Sequence, residues 1–216
     1  MKKVETILVC SAHSDDFVIG AGGTIKQYTQ QGKKVIAIVF SYGEKSHPWL
    51  KEGIIQKIRT KETLEACKIL KSQTIIYDLK EFKFLEEYKD KQIDTQLLQL
   101  IEKEKPTKIF THSPEDPHPD HKSVYAITLE VWEKCSFPTK PELYIYSIWN
   151  PISLQTRYPS LYVDISSTFK TKLAALKTFR SQKLHVAYPF ILLLYRAIKD
   201  GFKISKRFGE HFFRIR

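Results

Sequence analysis

Cysteine is scarce in this chain. Its three residues, Cys10, Cys67 and Cys135, stand far apart and lack C-x-x-C spacing. That pattern indicates neither a disulfide framework nor a cysteine-bound zinc. Cys10 lies in an apolar run and Cys67 in a helical pattern, so buried thiols, a reducing setting and a cytoplasmic location are expected. Long apolar runs are missing as well. The most apolar stretch, Val186 to Tyr195, has ten residues, too few to span a bilayer. The opening MKKVETILVCSAHSDD places two lysines before a short apolar run, but Glu5 interrupts it and aspartates follow at once. It reads as a first strand, not a signal. No repeat of solenoid period and no low-complexity tract is present.

Acid is in short supply: 24 Asp and Glu against 35 Lys and Arg, a formal net charge of +11. That surplus bears on partners, not on fold. Nucleic acid, an acidic membrane surface and an anionic substrate all suit it, and so does a plain solvated lysine-rich surface. No recognised nucleic-acid motif accompanies the charge, so no specific nucleic acid is expected. What is present looks globular: 216 residues, 42% hydrophobic, 27% charged and 12% aromatic. This suits one domain over residues 1–216 with a full core.

Apolar runs alternate with helical patterns. Strands are predicted at Glu5–Ser11, Lys34–Ser41, Thr74–Leu79 and Lys108–His112. Helices are predicted at Gly23–Gln31, Gly53–Lys71 and Asp94–Glu104, and one more runs from near the proline-rich loop SPEDPHPDH through Val131. Further strands follow at Leu143–Ile148 and Leu161–Ile165, a helix at Phe169–Gln182, and a C-terminal helical extension over about 186–216. The alternation predicts an α/β fold, a Rossmann-like three-layer α/β/α domain around a mostly parallel sheet.

In such sheets ligands sit beyond the carboxyl ends of the strands, where strand order reverses. Two chemically dense segments fall there. His13, Asp15 and Asp16 follow the first strand; His118, Asp120 and His121 follow the fourth. Each alone has a plain reading, a capped turn for HSDD and a polar loop for HPDH. Together they suggest a metal site. His13, Asp16 and His121 form two imidazoles and a carboxylate, the ligand set of a catalytic zinc with an open position. A cation there also answers why two adjacent carboxylates end an apolar strand. Asp15 is the candidate general base, a role worth roughly 10²–10⁴-fold. His118 is placed to face an oxyanion or to protonate a leaving amine. Asp120 is placed to accept from a ring N–H and fix a histidine's orientation. GAGG is not GxGxxG, so no dinucleotide site is read there.

These residues resemble the LmbE-like (PIG-L) family of zinc-dependent de-N-acetylases. That family's AHPDDE motif reads AHSDDF here, and its HSPxDxHxDH-like segment reads HSPEDPHPDH. Weaker matches are RTKE at Arg59–Glu62, KLAALKTFRSQ, and GFKISKRFGEHF with Glu210 in the acidic place. The resemblance implies His13, Asp16 and His121 as zinc ligands, Asp15 as base and His118 as oxyanion stabiliser or acid. It implies Arg59 as a substrate contact. It implies removal of an N-acetyl group from an N-acetylglucosamine-type conjugate, small or lipid-linked, releasing acetate. Homo-oligomers are common in the family. Ser14 and Phe17 depart from its pattern; neither is a ligand or the base.

Three more residues are candidate substrate contacts: His112 at the end of the fourth strand, Glu81 just beyond the third, and Trp49, near His47, on the loop after the second. A hydrogen-bonded structural role competes for His112, and inward packing for Trp49. The stretch Tyr188–Arg216 mixes apolar and basic residues, so it either packs one face on the domain or touches an anionic membrane peripherally. Rival functions are a non-catalytic sugar-binding domain, a nucleic-acid-binding protein and an amidase with a non-sugar substrate. His₂Asp also suits Fe²⁺, Co²⁺ or Mn²⁺.

Overall fold

A computed structural model of the chain describes residues 4–43, 52–150, 157–182 and 187–216, with the side chains of 187–189 excepted. His47, Trp49 and His185 lie outside the described residues.

Seven described strands form one sheet: β1 (Thr6–Ser11), β2 (Lys34–Val39), β3 (Gln73–Ile76), β4 (Lys108–His112), β5 (Glu142–Tyr146), β6 (Ser160–Asp164) and β7 (Gly209–Arg214). Their order across the sheet is β3-β2-β1-β4-β5-β7-β6. The pairings β2–β3, β1–β2, β1–β4 and β4–β5 are parallel; β5–β7 and β6–β7 are antiparallel. The helices are α1 (Asp16–Gln30), α2 (Glu52–Leu70), α3 (Phe84–Glu87), α4 (Ile93–Glu104), α5 (Pro119–Lys134), α6 (Phe169–Leu176) and α7 (Ala187–Lys203), with a 3₁₀ turn at Arg180–Gln182.

The strands are apolar on both faces because both are covered. On one face Ile7, Val9, Val35 and Val39 pack with Val18 and Ile25 of α1, Ala66 of α2 and Phe169 of α6. On the other, Leu8, Ile36, Ile38 and Ile109 pack with Phe84, Leu97, Ile101 and Val124 of α3, α4 and α5. The result is a three-layer α/β/α domain. The chain runs from β1 outward to β3, then returns to β4 on the far side of β1. The carboxyl ends of β1 and β4 therefore flank the point where strand order reverses, the place such sheets bind ligands.

Two of the departures from the sequence expectation shape the surroundings of the site. The first helix begins at Asp16, not Gly23, and its glycines lie inside it. They serve close packing instead of a turn. A Cβ on Gly20 would stand 2.3 Å from the Tyr146 ring, and one on Gly23 2.7 Å from Ile165. The helical extension read over 186–216 ends at Lys203; Gly209–Arg214 is a strand inserted between β5 and β6. Basic residues break its apolar run, while Phe212 fills the core, fully buried.

A buried ion pair ties this C-terminal strand to α1. Lys172 Nζ lies 2.6 Å from Glu210 Oε1 and donates to the Ile19 carbonyl. Both Glu210 oxygens accept backbone N–H groups from mid-helix, Gly23 and Thr24. The motif matches RTKE and SQ also meet: Glu62 accepts from Ser181 N and Ser181 Oγ.

Candidate metal centre

The site is assembled by two strand ends and the helices they launch. β1 ends at Ser11, and α1 starts with Asp15 at its N-cap and Asp16 in its first turn. The Asp15 side chain makes no capping hydrogen bond; Asp16 Oδ2 instead accepts from the His13 backbone N–H at 2.9 Å. β4 ends at His112, and α5 begins after His118, with Pro119 in the first turn where its fixed φ suits a helix start. His118 Nδ1 accepts from Asp120 N at 3.2 Å, so the neutral ring carries its proton on Nε2.

These two turns bring His13, Asp16 and His121 together, one potential ligand atom from each lying within 4.8 Å of the others. Asp16 Oδ2 is 3.4 Å from His13 Nδ1 and 3.3 Å from His121 Nε2. A second such group joins His13, His118 and Asp120. Asp120 Oδ2 lies 3.1 Å from His13 Nε2, and Glu81 Oε1 3.7 Å from the same atom.

The donor set fits a divalent cation on two observations. First, neither ring nitrogen of the buried His121 makes a hydrogen bond, although Nε2 faces Asp16 and Nδ1 faces Asp116. A buried ring nitrogen without a partner is expensive unless something else occupies it. Second, the charges are unbalanced. Burial pulls the His13 imidazole down, but Asp120 and Asp16 outweigh it and push its pKa well above the usual value. Burial likewise opposes protonation of His121, yet Asp16 and Asp116 raise it to about 9. The pocket thus draws positive charge onto His13 and His121, charge that a metal ion would supply on displacing those protons.

Asp15 and Asp16 are driven apart by their surroundings. Burial and the adjacent Asp16 charge lift Asp15 to about 6, against the opposing pull of Arg59 and His13. Asp16, though burial penalises its charge, is held well below the ordinary carboxylate range by His121, His112 and His13. Two neighbouring carboxylates with separated affinities suit separate roles, one an anionic ligand and one a proton acceptor. His118 goes the other way. Burial and the nearby His13 and His121 lower it to about 4, so its ring is neutral.

Other predicted residues take different places. His112 is fully buried behind Asp16. Its Nε2 accepts from Ala12 N at 2.9 Å and lies 3.4 Å from Asp16 Oδ2, which makes it a support and not a surface contact. Arg59 is also fully buried on α2, where its charge acts on Asp15, Glu62 and Glu81. Phe17, which departs from the family motif, packs into the core and leaves the cluster untouched.

Two residues of the site went unread in the sequence. Asp116 is fully buried, and its Oδ1 lies 3.0 Å from His121 Nδ1. It also accepts from the backbone N–H groups of His118, Ile148 and Trp149. A carboxylate on the far nitrogen sets the tautomer and aim of a ligating histidine. Its signal was its place in the SPEDPHPDH loop, on the first aspartate of the HSPxDxHxDH-like segment. Phe82 adopts φ 66°, rare for a bulky residue. Its N–H donates to Asp120 Oδ1 at 2.8 Å, and its ring stacks on His118 at 5.6 Å while 55% exposed.

The chain is similar to several known proteins. A family model described as PIG-L, GlcNAc-PI de-N-acetylase, matches residues 8–132. The chain is 26% identical over 196 residues to diacetylchitobiose deacetylase of Thermococcus kodakarensis, covering 83% of this chain and 70% of the relative. It is 26% identical over 198 residues to 4-oxalmesaconate hydratase of Pseudomonas putida, covering 83% and 74%. Among solved structures, N,N′-diacetylchitobiose deacetylase from Pyrococcus horikoshii superposes with a TM-score of 0.77 at 26% identity, over 98% of this chain and 84% of that one.

Proposed function

The chain belongs to the PIG-L family of GlcNAc-PI de-N-acetylases, and on that basis we propose that it is a metal-dependent hydrolase. Its reaction is the removal of an N-acetyl group from an N-acetylglucosamine-type sugar conjugate, with acetate as the second product. The observation that carries this reading is the convergence of His13, Asp16 and His121 beside an uncapped Asp15. Relatives named for deacetylation of diacetylchitobiose support the substrate class.

His13, Asp16 and His121 would hold the ion, zinc by the chemistry of the donor set, with Asp116 and Asp120 orienting the two rings. When bound, a divalent ion supplies Lewis acidity and lowers the pKa of water to about 7. Asp15 takes the proton as the water oxygen bonds to the acetamide carbonyl carbon. His118, neutral with its proton on Nε2, donates a hydrogen bond to the oxyanion; this role suits its lowered pKa better than that of a charged acid. The C–N bond then breaks, and the proton held by Asp15 passes to the leaving nitrogen. Phe82, stacked and half-exposed beside His118, offers an aromatic face to the sugar ring.

The hydratase relative supplies the competing reading, addition of water to a carbon–carbon double bond at the same site. Acetate release from N-acetylglucosamine conjugates, measured beside hydration of 4-oxalmesaconate, decides between them. Acetate release that disappears in Asp15→Ala supports deacetylation. Hydration without any acetate release overturns it.

A further inference from the structure

We propose that the outer face of α7 seats this chain on an anionic lipid surface. The helix carries more apolar side chains than its packing side uses, beside a polar side of Arg196, Lys199, Asp200 and Lys203. Only one side is buried. Leu192, Leu193 and Ala197 pack inward, with 7%, 4% and 2% exposure. The opposite side carries Ile191, Tyr195, Ile198 and Phe202, which are 69%, 54%, 51% and 84% exposed. These four recur at i, i+4, i+7 and i+11, so they form one straight stripe about 17 Å long.

Charge identifies what covers the stripe. Between Phe190 and Arg207 the sole carboxylate, Asp200, is buried. The solvated charges there, Lys199, Lys203, Lys206 and Arg207, are all basic, with Lys199 3.8 Å from the buried Asp200 and Lys206 3.6 Å from Asp164 of β6. Apolar and aromatic side chains framed by lysines and arginines make an interfacial helix on anionic headgroups, with the lysine stems lying along the apolar edge. A second copy fits worse. In an isologous pair through this helix the basic frame would meet its own copy, like charge against like. Among the described residues no helix is long and apolar enough to cross a membrane, so the contact is peripheral.

The surface is also tied to the candidate metal centre. Arg196 of α7 donates to the carbonyls of Ser147 and Ile148 at 2.7 and 3.0 Å, and also to that of Asn150. The amides of Ile148 and Trp149 hold Asp116, which faces His121. The helix thus flanks the sheet edge that carries the site. A chain seated this way meets sugars carried on lipid. That last step rests on the proposed deacetylase reading; the docking itself does not.

Vesicle co-sedimentation tests it without any assay of activity. The expected result is binding to phosphatidylcholine vesicles doped with phosphatidylglycerol, weaker binding to phosphatidylcholine alone, and loss with added salt. Ile198→Glu with Phe202→Glu should lower partitioning at least about tenfold, with an unchanged circular dichroism spectrum, since both side chains are exposed. Lys199→Ser with Lys203→Ser should weaken binding and flatten its salt dependence. No binding to the anionic vesicles at low salt would overturn the proposal. So would equal binding by the glutamate variant, or a dimer in light scattering that this variant dissolves.

Discussion

Two clusters of buried charge touch the same helix. One lies midway along α1, where Lys172 meets Glu210. The other lies at its start, where Asp15 and Asp16 meet His13 and His121. The first is closed. One cation faces one anion at 2.6 Å, and the remaining hydrogen-bonding capacity goes to the carbonyl of Ile19 and the amides of Gly23 and Thr24. The second is open. Asp15, Asp16, Asp116, Asp120 and Glu81 crowd the cluster and pull protons onto His13 and His121, and the buried His121 ring has no hydrogen bond. Balanced charge is architecture, since breaking one partner leaves the other stranded. Unbalanced charge is what the proposed metal ion would complete.

The contrast can be broken at either end. The largest effect belongs to Asp15, whose replacement by Ala should lower turnover roughly 10²–10⁴-fold with the metal retained. Metal content measured beside acetate release checks it; loss of the metal would remove Asp15 from the role of base. Lys172→Met should cost about 3–5 kcal/mol of folding stability, because it strands a buried Glu210. Urea unfolding reads that loss, and metal binding by the folded fraction should not change. Asp116→Asn should weaken metal affinity about 10- to 100-fold while the fold persists, as expected when a ligating histidine loses its orienting carboxylate. A competition titration with a chromophoric chelator measures this. The smallest effect is at Phe82: Phe82→Ala should raise KM a few-fold, with kcat nearly unchanged, if its ring only stacks on bound sugar.

The same contrast explains what could be read along the chain. HSDD and HPDH were visible because each group of functional residues is local, and each follows an apolar run that any parallel sheet would bury. β4 was visible from end to end, at Lys108–His112, for the same reason. Residues whose meaning is set from across the fold were not. The start of α1 was hidden because glycines at 20, 22 and 23 look like a turn until Tyr146 and Ile165 are seen pressing on them. β7 was hidden because a strand between two antiparallel neighbours, with His211 and Arg214 at its partly solvated positions, does not read as a continuous apolar run. Asp116 looked like one more loop carboxylate. Its burial, the backbone N–H groups it accepts and its 3.0 Å approach to His121 separate it from Glu115 beside it.

The most direct test is elemental analysis of freshly purified protein beside His13→Ala, His121→Ala and Lys172→Met. The account predicts about one divalent ion per chain, lost from both histidine variants and retained in Lys172→Met. No ion in the native chain, and none taken up on adding zinc, would contradict it, and the carboxylates at the head of α1 would then be only a helix start.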